Sequence, residues 1–162
     1  MIRLWLACSS PDVNGLDAWL DAQLPGITLG ASLGKDVEAA LGPPTERHSN
    51  APGTSIRSYQ SGGAFPGGAP AVRYVATRDT DDVVFEFSLE PTTETLAPAS
   101  ALAGWGPPTG HVDDLDVWCG TRARADVVVA AAVLPDQEIG AIAVEHRAFV
   151  PAGSVLLQVC AK

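Results

Sequence analysis

The segment VEAALGPPTE (Val37–Glu46) recurs in weakened form as SALAGWGPPTG (Ser100–Gly110). In each, a short Ala-rich helical stretch is cut off by Gly-Pro-Pro-Thr, at Gly42–Thr45 and again at Gly106–Thr109. Glycine supplies a left-handed residue at a helix end, and two prolines in a row forbid continuation. Beyond each stop the apolar period changes from helical to alternating. In the first half the alternation predicts strands at Ser55–Gln60, Ala71–Thr77 and Val83–Leu89, with Ser61–Pro70 as a loop and Asp79–Asp82 as a turn. In the second half it predicts strands at Leu115–Gly120, Ala125–Leu134, Ile139–Val150 and Ser154–Cys160. The repeated order of helix, stop and three strands predicts an α+β fold. Its form is two tandem helix-plus-three-stranded antiparallel sheet units, with the helices packed on one sheet face.

Working outward, Asn14–Leu24 is an amphipathic helix with Leu16, Trp19, Leu20 and Leu24 on one side, stopped by Pro25-Gly26. The helix before the first stop runs from Ser32, its expected N-cap, to Leu41. A shorter helix is expected at Leu96–Ala103, after the polar connector Glu90–Thr95. The predicted division is residues 1–25 as an N-terminal strand and helix, 26–91 as the first unit and 92–162 as a second, degenerate unit. Within VVFEFSL, Val83, Phe85, Phe87 and Leu89 are assigned to the helix side, and Val84, Glu86 and Ser88 to the other. DVVVAAAVL (Asp126–Leu134) is apolar on both faces, the mark of a central strand covered on both sides.

The 162 residues are 46% hydrophobic and 18% charged, enough apolar matter for a packed interior. Ten basic residues against nineteen acidic ones give a net charge of −9, which argues against nucleic acid and anionic membrane surfaces as partners. No apolar run approaches the ~18 residues of a membrane span.

Cys8, Cys119 and Cys160 lack the close pairing of a zinc site. All three as buried, reduced residues is one reading. The other begins from MIRLWLACSS (Met1–Ser10), which resembles the end of a bacterial lipoprotein signal. Cys8 would then carry a lipid anchor, leaving Cys119 and Cys160 to pair in an oxidising envelope. The apolar stretch is shorter than the roughly 7–15 residues of a secretory signal, and its alternation predicts a strand at Ile2–Cys8 instead.

The stretch ITLGASLGKDVEAALGPPTE (Ile27–Glu46) resembles the helical motif of the BamE (SmpA/OmlA-like) outer-membrane assembly lipoproteins and of the β-lactamase inhibitory protein. Gly30, Ser32, Val37, Leu41, Gly42 and Pro44 fill the motif, and Tyr59, Tyr74 and the turn into VVFEFSL fit the sheet that follows. The inhibitor is likewise a tandem of two such units. The resemblance implies a non-enzymatic protein-binding role, as an inhibitor or assembly factor of the bacterial cell envelope or medium, with the sheet face away from the helices offered to another protein.

Catalytic motifs are absent from the sequence. His48, His111 and His146 have no second histidine at helical spacing, and there is neither a Gly-x-Ser-x-Gly elbow nor a phosphate loop. His111 with Asp113, Asp114 and Asp116 is the densest polar group and reads as a solvated loop. Glu145 and His146 adjoin in a strand and so point to opposite faces. No metal or cofactor is expected. The alternatives are a small cytosolic acidic immunity or regulatory protein, and an enzyme with a Cys/His or acidic metal site. The candidate partner-binding residues are Arg57 and Tyr59, Arg73, Glu86, and Asp116 with Trp118, placed together on the face opposite the helices, with both rings as interface anchors.

Overall fold

Both Gly-Pro-Pro stops end their helix on a glycine at positive φ. The computed structural model describes residues 14–92, 96–121 and 123–161, apart from the side chains of Asn14 and Asn50. The strand expected at Ile2–Cys8 and the anchor at Cys8 lie outside these residues. Helix α1 (Asn14–Gln23) buries Leu16 and Leu20. Helix α2 (Gly34–Leu41) ends at Gly42, with φ 84° and ψ −176°, whose N–H donates to the Glu38 carbonyl at 3.0 Å. Its N-cap is Leu33 and not Ser32. Asp36 Oδ2 accepts from the Leu33 N–H at 2.8 Å, while the Ser32 hydroxyl is used one turn earlier by the Thr28 N–H at 3.0 Å.

In the second half the helix is tighter, a 3₁₀ segment η1 (Ala99–Trp105), and it ends at Gly106 with φ 77° and ψ 179°. Both glycines occupy backbone that other residues enter at a cost of about 1–3 kcal/mol. Gly42→Ala and Gly106→Ala are each expected to lose that much in urea denaturation. An unmoved midpoint in either would show that its stop does not depend on glycine.

The strands are β1 (Glu46–Ala51), β2 (Thr54–Ala64), β3 (Pro70–Arg78), β4 (Val84–Pro91), β5 (Ala97–Pro98), β6 (Gly110–Val112), β7 (Leu115–Cys119), β8 (Val127–Val133) and β9 (Glu138–His146). All pair antiparallel in one sheet, ordered β1-β2-β3-β4-β9-β8-β7-β6, with β5 against the start of β9. Each GPPT stop is thus followed by four strands, not three. The extra ones are β1 and β6, the two ends of the sheet: β1 is polar and β6 is three residues long, so neither carries an apolar alternation. The Ser61–Pro70 loop shrinks because β2 continues to Ala64.

Ser154–Cys160 is not a strand. Ser154 caps helix α3 (Val155–Cys160), its hydroxyl accepting from the Leu156 N–H at 3.3 Å. Over six residues, Val-Leu-Leu-Gln-Val-Cys satisfies either period, and the serine cap decides.

Register divides the sheet into faces, because residues directly opposite share a side. Arg57, Val75, Phe87, Val144, Val129 and Trp118 form one row on the helix side. Tyr59, Arg73, Leu89, Ile142, Ala131 and Asp116 form the next. A bulge between Glu86 and Val84 shifts the parity of β4, so Val84 is fully buried while Val83 and Phe85 are partly exposed. That corrects the assignment of Val83 and Phe85 to the helix side. Phe85 packs instead on Phe149, ring centroids 5.6 Å apart.

Candidate binding face

Four of the six candidate residues are buried under the helices. Arg57 is 8% exposed, Tyr59 4%, Arg73 4% and Trp118 5%. Arg57 sits at the end of α2, donating to Glu38 Oε1 at 2.8 Å, Thr77 Oγ1 at 2.9 Å and Asp82 Oδ1 at 3.1 Å. Burial alone would lower its pKa, but the hydrogen bond to Glu38 and the field of Asp82 carry the net shift upward. This is a paired buried charge locking α2 to the sheet. It is not a surface group.

Arg73 donates to the Gly62 carbonyl and, at 3.4 Å, to Gln23 Oε1, and forms no ion pair among the described residues. Burial lowers its pKa, and among the described residues its Nε and the Tyr59 hydroxyl both lack a hydrogen-bond partner. Asp116 also lies on the helix side, at the far edge of the sheet, 2.5 Å from His111 Nδ1. Of the six, Glu86 alone lies on the opposite face. The expectation of one shared polar-aromatic surface is therefore corrected: Val75 facing Phe87 forces Arg73 opposite Leu89 and Arg57 beside Val75, all toward the helices.

The opposite face has two characters. Over β6, β7 and β8 it is built of Gly110, Val117, Ala130 and Val128, and α3 lies on it. A Cβ on Gly110 would come within 2.7 Å of Val159, so the absent side chain is what lets the helix approach. Cys119 and Cys160 are joined there by a disulfide, Cα atoms 5.3 Å apart. This explains how DVVVAAAVL is covered on both sides: helices on one, α3 on the other.

Over β1 to β4 no helix among the described residues covers this face. His48, Ile56, Tyr74, Glu86, Ser88 and Glu90 line a groove of about 370 Å³ there. Glu86 stands directly opposite Glu145 of β9. Burial, then the neighbouring Glu145, pushes the Glu86 carboxyl up, and burial raises Glu145. The Tyr74 hydroxyl is raised by burial and by Glu90. Of these residues, His48, Tyr74, Glu90 and Glu145 are not among the partner-binding candidates read from sequence: His48 and Glu145 enter there only for catalysis or metal binding, and Tyr74 only as part of the sheet. The signal available for Tyr74 was its i±2 relation to Ala76 and Val72.

A carboxyl whose folded-state pKa exceeds its unfolded value binds its proton more tightly in the folded protein. The Glu86–Glu145 pair therefore favours folding most below the unfolded value near 4.3, and this contribution is lost as pH rises through the raised one. Glu86→Gln should raise the unfolding free energy at pH 7.5 by roughly 0.2–1 kcal/mol, the general scale of cross-strand pair energies, because like charges directly opposite are destabilising. The gain should shrink at pH 4.5. Equal gains at both pH values would remove the repulsion from the account.

Among the described residues no three His, Cys, Asp or Glu side chains converge as metal ligands, and no helix is long and apolar enough to cross a membrane. Helices packed on a large antiparallel sheet, with half of one face uncovered by the described residues, define an α+β protein. A DUF4309 family protein (YjgB) from Bacillus subtilis subsp. subtilis str. 168 is similar in fold, with a TM-score of 0.56 at 14% identity, over 83% of this chain and 95% of that one. A cysteine-rich secretory protein (SAV1118) from Staphylococcus aureus subsp. aureus Mu50 aligns at a TM-score of 0.45 and 7% identity, over 78% of this chain and 49% of that one. No protein-family model matches the chain, and no curated protein matches it in sequence.

Proposed function

We propose that the chain is a non-enzymatic binding protein of the bacterial cell envelope or medium that receives another protein on the uncovered half of its sheet. The observation that carries this is the asymmetry of that face: apolar and sealed by α3 over β6 to β8, polar with an aromatic ring and a groove over β1 to β4. Half-buried Tyr74 and Glu86 beside exposed His48 and Glu90 suit recognition, where orientation comes from polar groups and area from the ring. The Cys119–Cys160 bond supports an oxidising compartment. A photo-crosslinking residue at Ser88 should capture a partner in extracts of the native host, whereas one at Lys35, exposed on α2, should not. The adduct should be competed by unlabelled protein and lost with Tyr74→Ala. Capture from Lys35 alone, or from neither site, would refute the reading.

We further propose that this face belongs to a tandem duplication, as the BamE-like and inhibitor-like resemblance implies, with unit boundaries near residues 26–91 and 92–162. Matching hydrogen bonds support it. Thr45 N–H donates to the Ser58 carbonyl at 2.8 Å while Thr45 Oγ1 accepts from the Gln60 N–H at 3.3 Å. Thr109 N–H donates to the Val117 carbonyl at 2.7 Å while Thr109 Oγ1 accepts from the Cys119 N–H at 3.0 Å. The helix entrances match too: Gly34 N–H donates to the Asp82 carbonyl at 2.9 Å and Ala99 N–H to the Gln137 carbonyl at 2.8 Å. Asp82 and Gln137 both adopt positive φ, 56° and 64°. On this alignment Tyr59 and Trp118 are counterparts, both turned to the helices.

A further inference from the structure

We infer that a cleft between the α1–α2 loop and the lead-in to β8 binds a small uncharged molecule, an apolar body carrying one carbonyl acceptor. The cleft is on the helix side of the sheet, so it is a second site, independent of the groove over β1 to β4. Its volume is about 320 Å³, within the roughly 300–1,000 Å³ of small-molecule sites. Three segments distant in the chain wall it: residues 28–31, residues 123–127 and His146 at the end of β9. His146 stands directly opposite Val127 across β8 and β9, two residues along from the helix-side pair Val129 and Val144.

The floor of the cleft is apolar. Leu29 and Val127 also border a void of about 10 Å³ under α1, whose further walls include Leu20, Leu24 and Val144. A void of that size is at the lower limit for one water, ~10–15 Å³, and these side chains offer it no hydrogen bond, so the inner end favours hydrocarbon. The polar groups are few and fixed. His146 Nδ1 accepts from the Ala148 N–H at 3.3 Å, which places the proton of the neutral ring on Nε2. The ring is half-buried, and among the described residues no hydrogen bond engages Nε2. Gly30 leaves that donor uncovered, since a Cβ there would stand 2.7 Å from Nε2. Arg124 is neutralised by Asp17, at 3.3 Å, and by Asp21. Asp126, exposed on the rim, forms no ion pair among the described residues. One free donor above an apolar floor, beside an unpaired carboxylate, selects a neutral acceptor and disfavours an anion.

The test is a set of ¹⁵N NMR titrations with benzamide, benzoate, benzylammonium and toluene, four probes of similar shape. Benzamide should shift the amides of Gly30, Ala31 and Val127 together with the His146 Nε2 resonance. Benzoate, which adds a negative charge, and benzylammonium, which has no acceptor, should each bind roughly tenfold more weakly. His146→Phe keeps a ring and removes the donor. It should weaken benzamide by roughly tenfold while toluene still shifts the same backbone amides, which reports an intact cleft. Should toluene be lost as well, Ala125→Leu decides: the position is exposed on the wall, and the longer side chain should narrow the cleft and weaken benzamide. Benzoate or benzylammonium binding as tightly as benzamide would overturn the inference. So would the absence of benzamide shifts at these amides, or a benzamide affinity unchanged in His146→Phe or in Ala125→Leu.

Discussion

Trp118→Ala is expected to cost about 3–5 kcal/mol of stability, the range for truncating a buried aromatic. The ring is 5% exposed and stands edge-on to Trp105, centroids 5.2 Å apart at 80°. Trp105 in turn lies 4.8 Å from Trp19 of α1, and Trp19 lies 6.0 Å from Phe87 of β4. One aromatic chain thus joins α1, η1 and both halves of the sheet. The Trp118 indole N–H also donates to the Gly106 carbonyl at 3.3 Å, tying the second GPPT stop to β7. Truncation removes packing and leaves that carbonyl without its donor, and both losses act in the same direction. Tyr59→Phe is the useful contrast. Its hydroxyl is buried without a partner, so losing it should change stability by less than about 1 kcal/mol or improve it. The measurement is chemical denaturation of both variants. A Trp118→Ala midpoint equal to that of the unsubstituted protein would place the ring at the surface.

The helix stops at Gly42 and Gly106 were readable because glycine and proline act through the backbone alone, whatever surrounds them. The faces of the sheet were harder. In Ala71–Ala76 the two alternating sets are Ala71, Arg73 and Val75 against Val72, Tyr74 and Ala76, and neither is clearly more apolar. What decides is the partner across the ladder: Val75 opposite Phe87, which is fully buried. Arg73 is carried inward with it, and Arg57 follows through its pairing with Val75. A charged residue on the core side can be paired there, as Arg57 is with Glu38, and pairing between distant segments leaves no local trace in sequence. The candidate groove was illegible for the same reason, since His48, Ile56, Tyr74 and Glu86 meet only through the pairings of β1 to β4. Pairing between strands is a link that composition and period do not encode.

Removing the Cys119–Cys160 bond should be the other large effect. The two cysteines are 41 residues apart, and a loop of that size constrains the unfolded chain by about 4 kcal/mol in the chain-entropy account. Cys119→Ser with Cys160→Ser should therefore lower the unfolding free energy by that order. The loss should be felt first in α3. Six residues are far below the ~12–15 at which an isolated helix becomes even marginal in water, so α3 depends on its seat and its tether. What remains without the bond is the Ser154 cap, side-chain hydrogen bonds from Arg147 Nη2 to the Cys160 carbonyl at 3.0 Å and from Gln158 Nε2 to the Gly153 carbonyl at 3.3 Å, and the packing of one short helix on β6, β7 and β8, with Val159 over Gly110. Amide exchange at Gln158 and Val159 should accelerate in the double variant well before global unfolding, exposing Val117, Val128 and Ala130 to solvent. Exchange in β2 and β3, on the other half of the sheet, should stay slow under the same conditions. If α3 keeps its protection without the disulfide, its apolar seat alone holds it, and the bond serves the unfolded state alone.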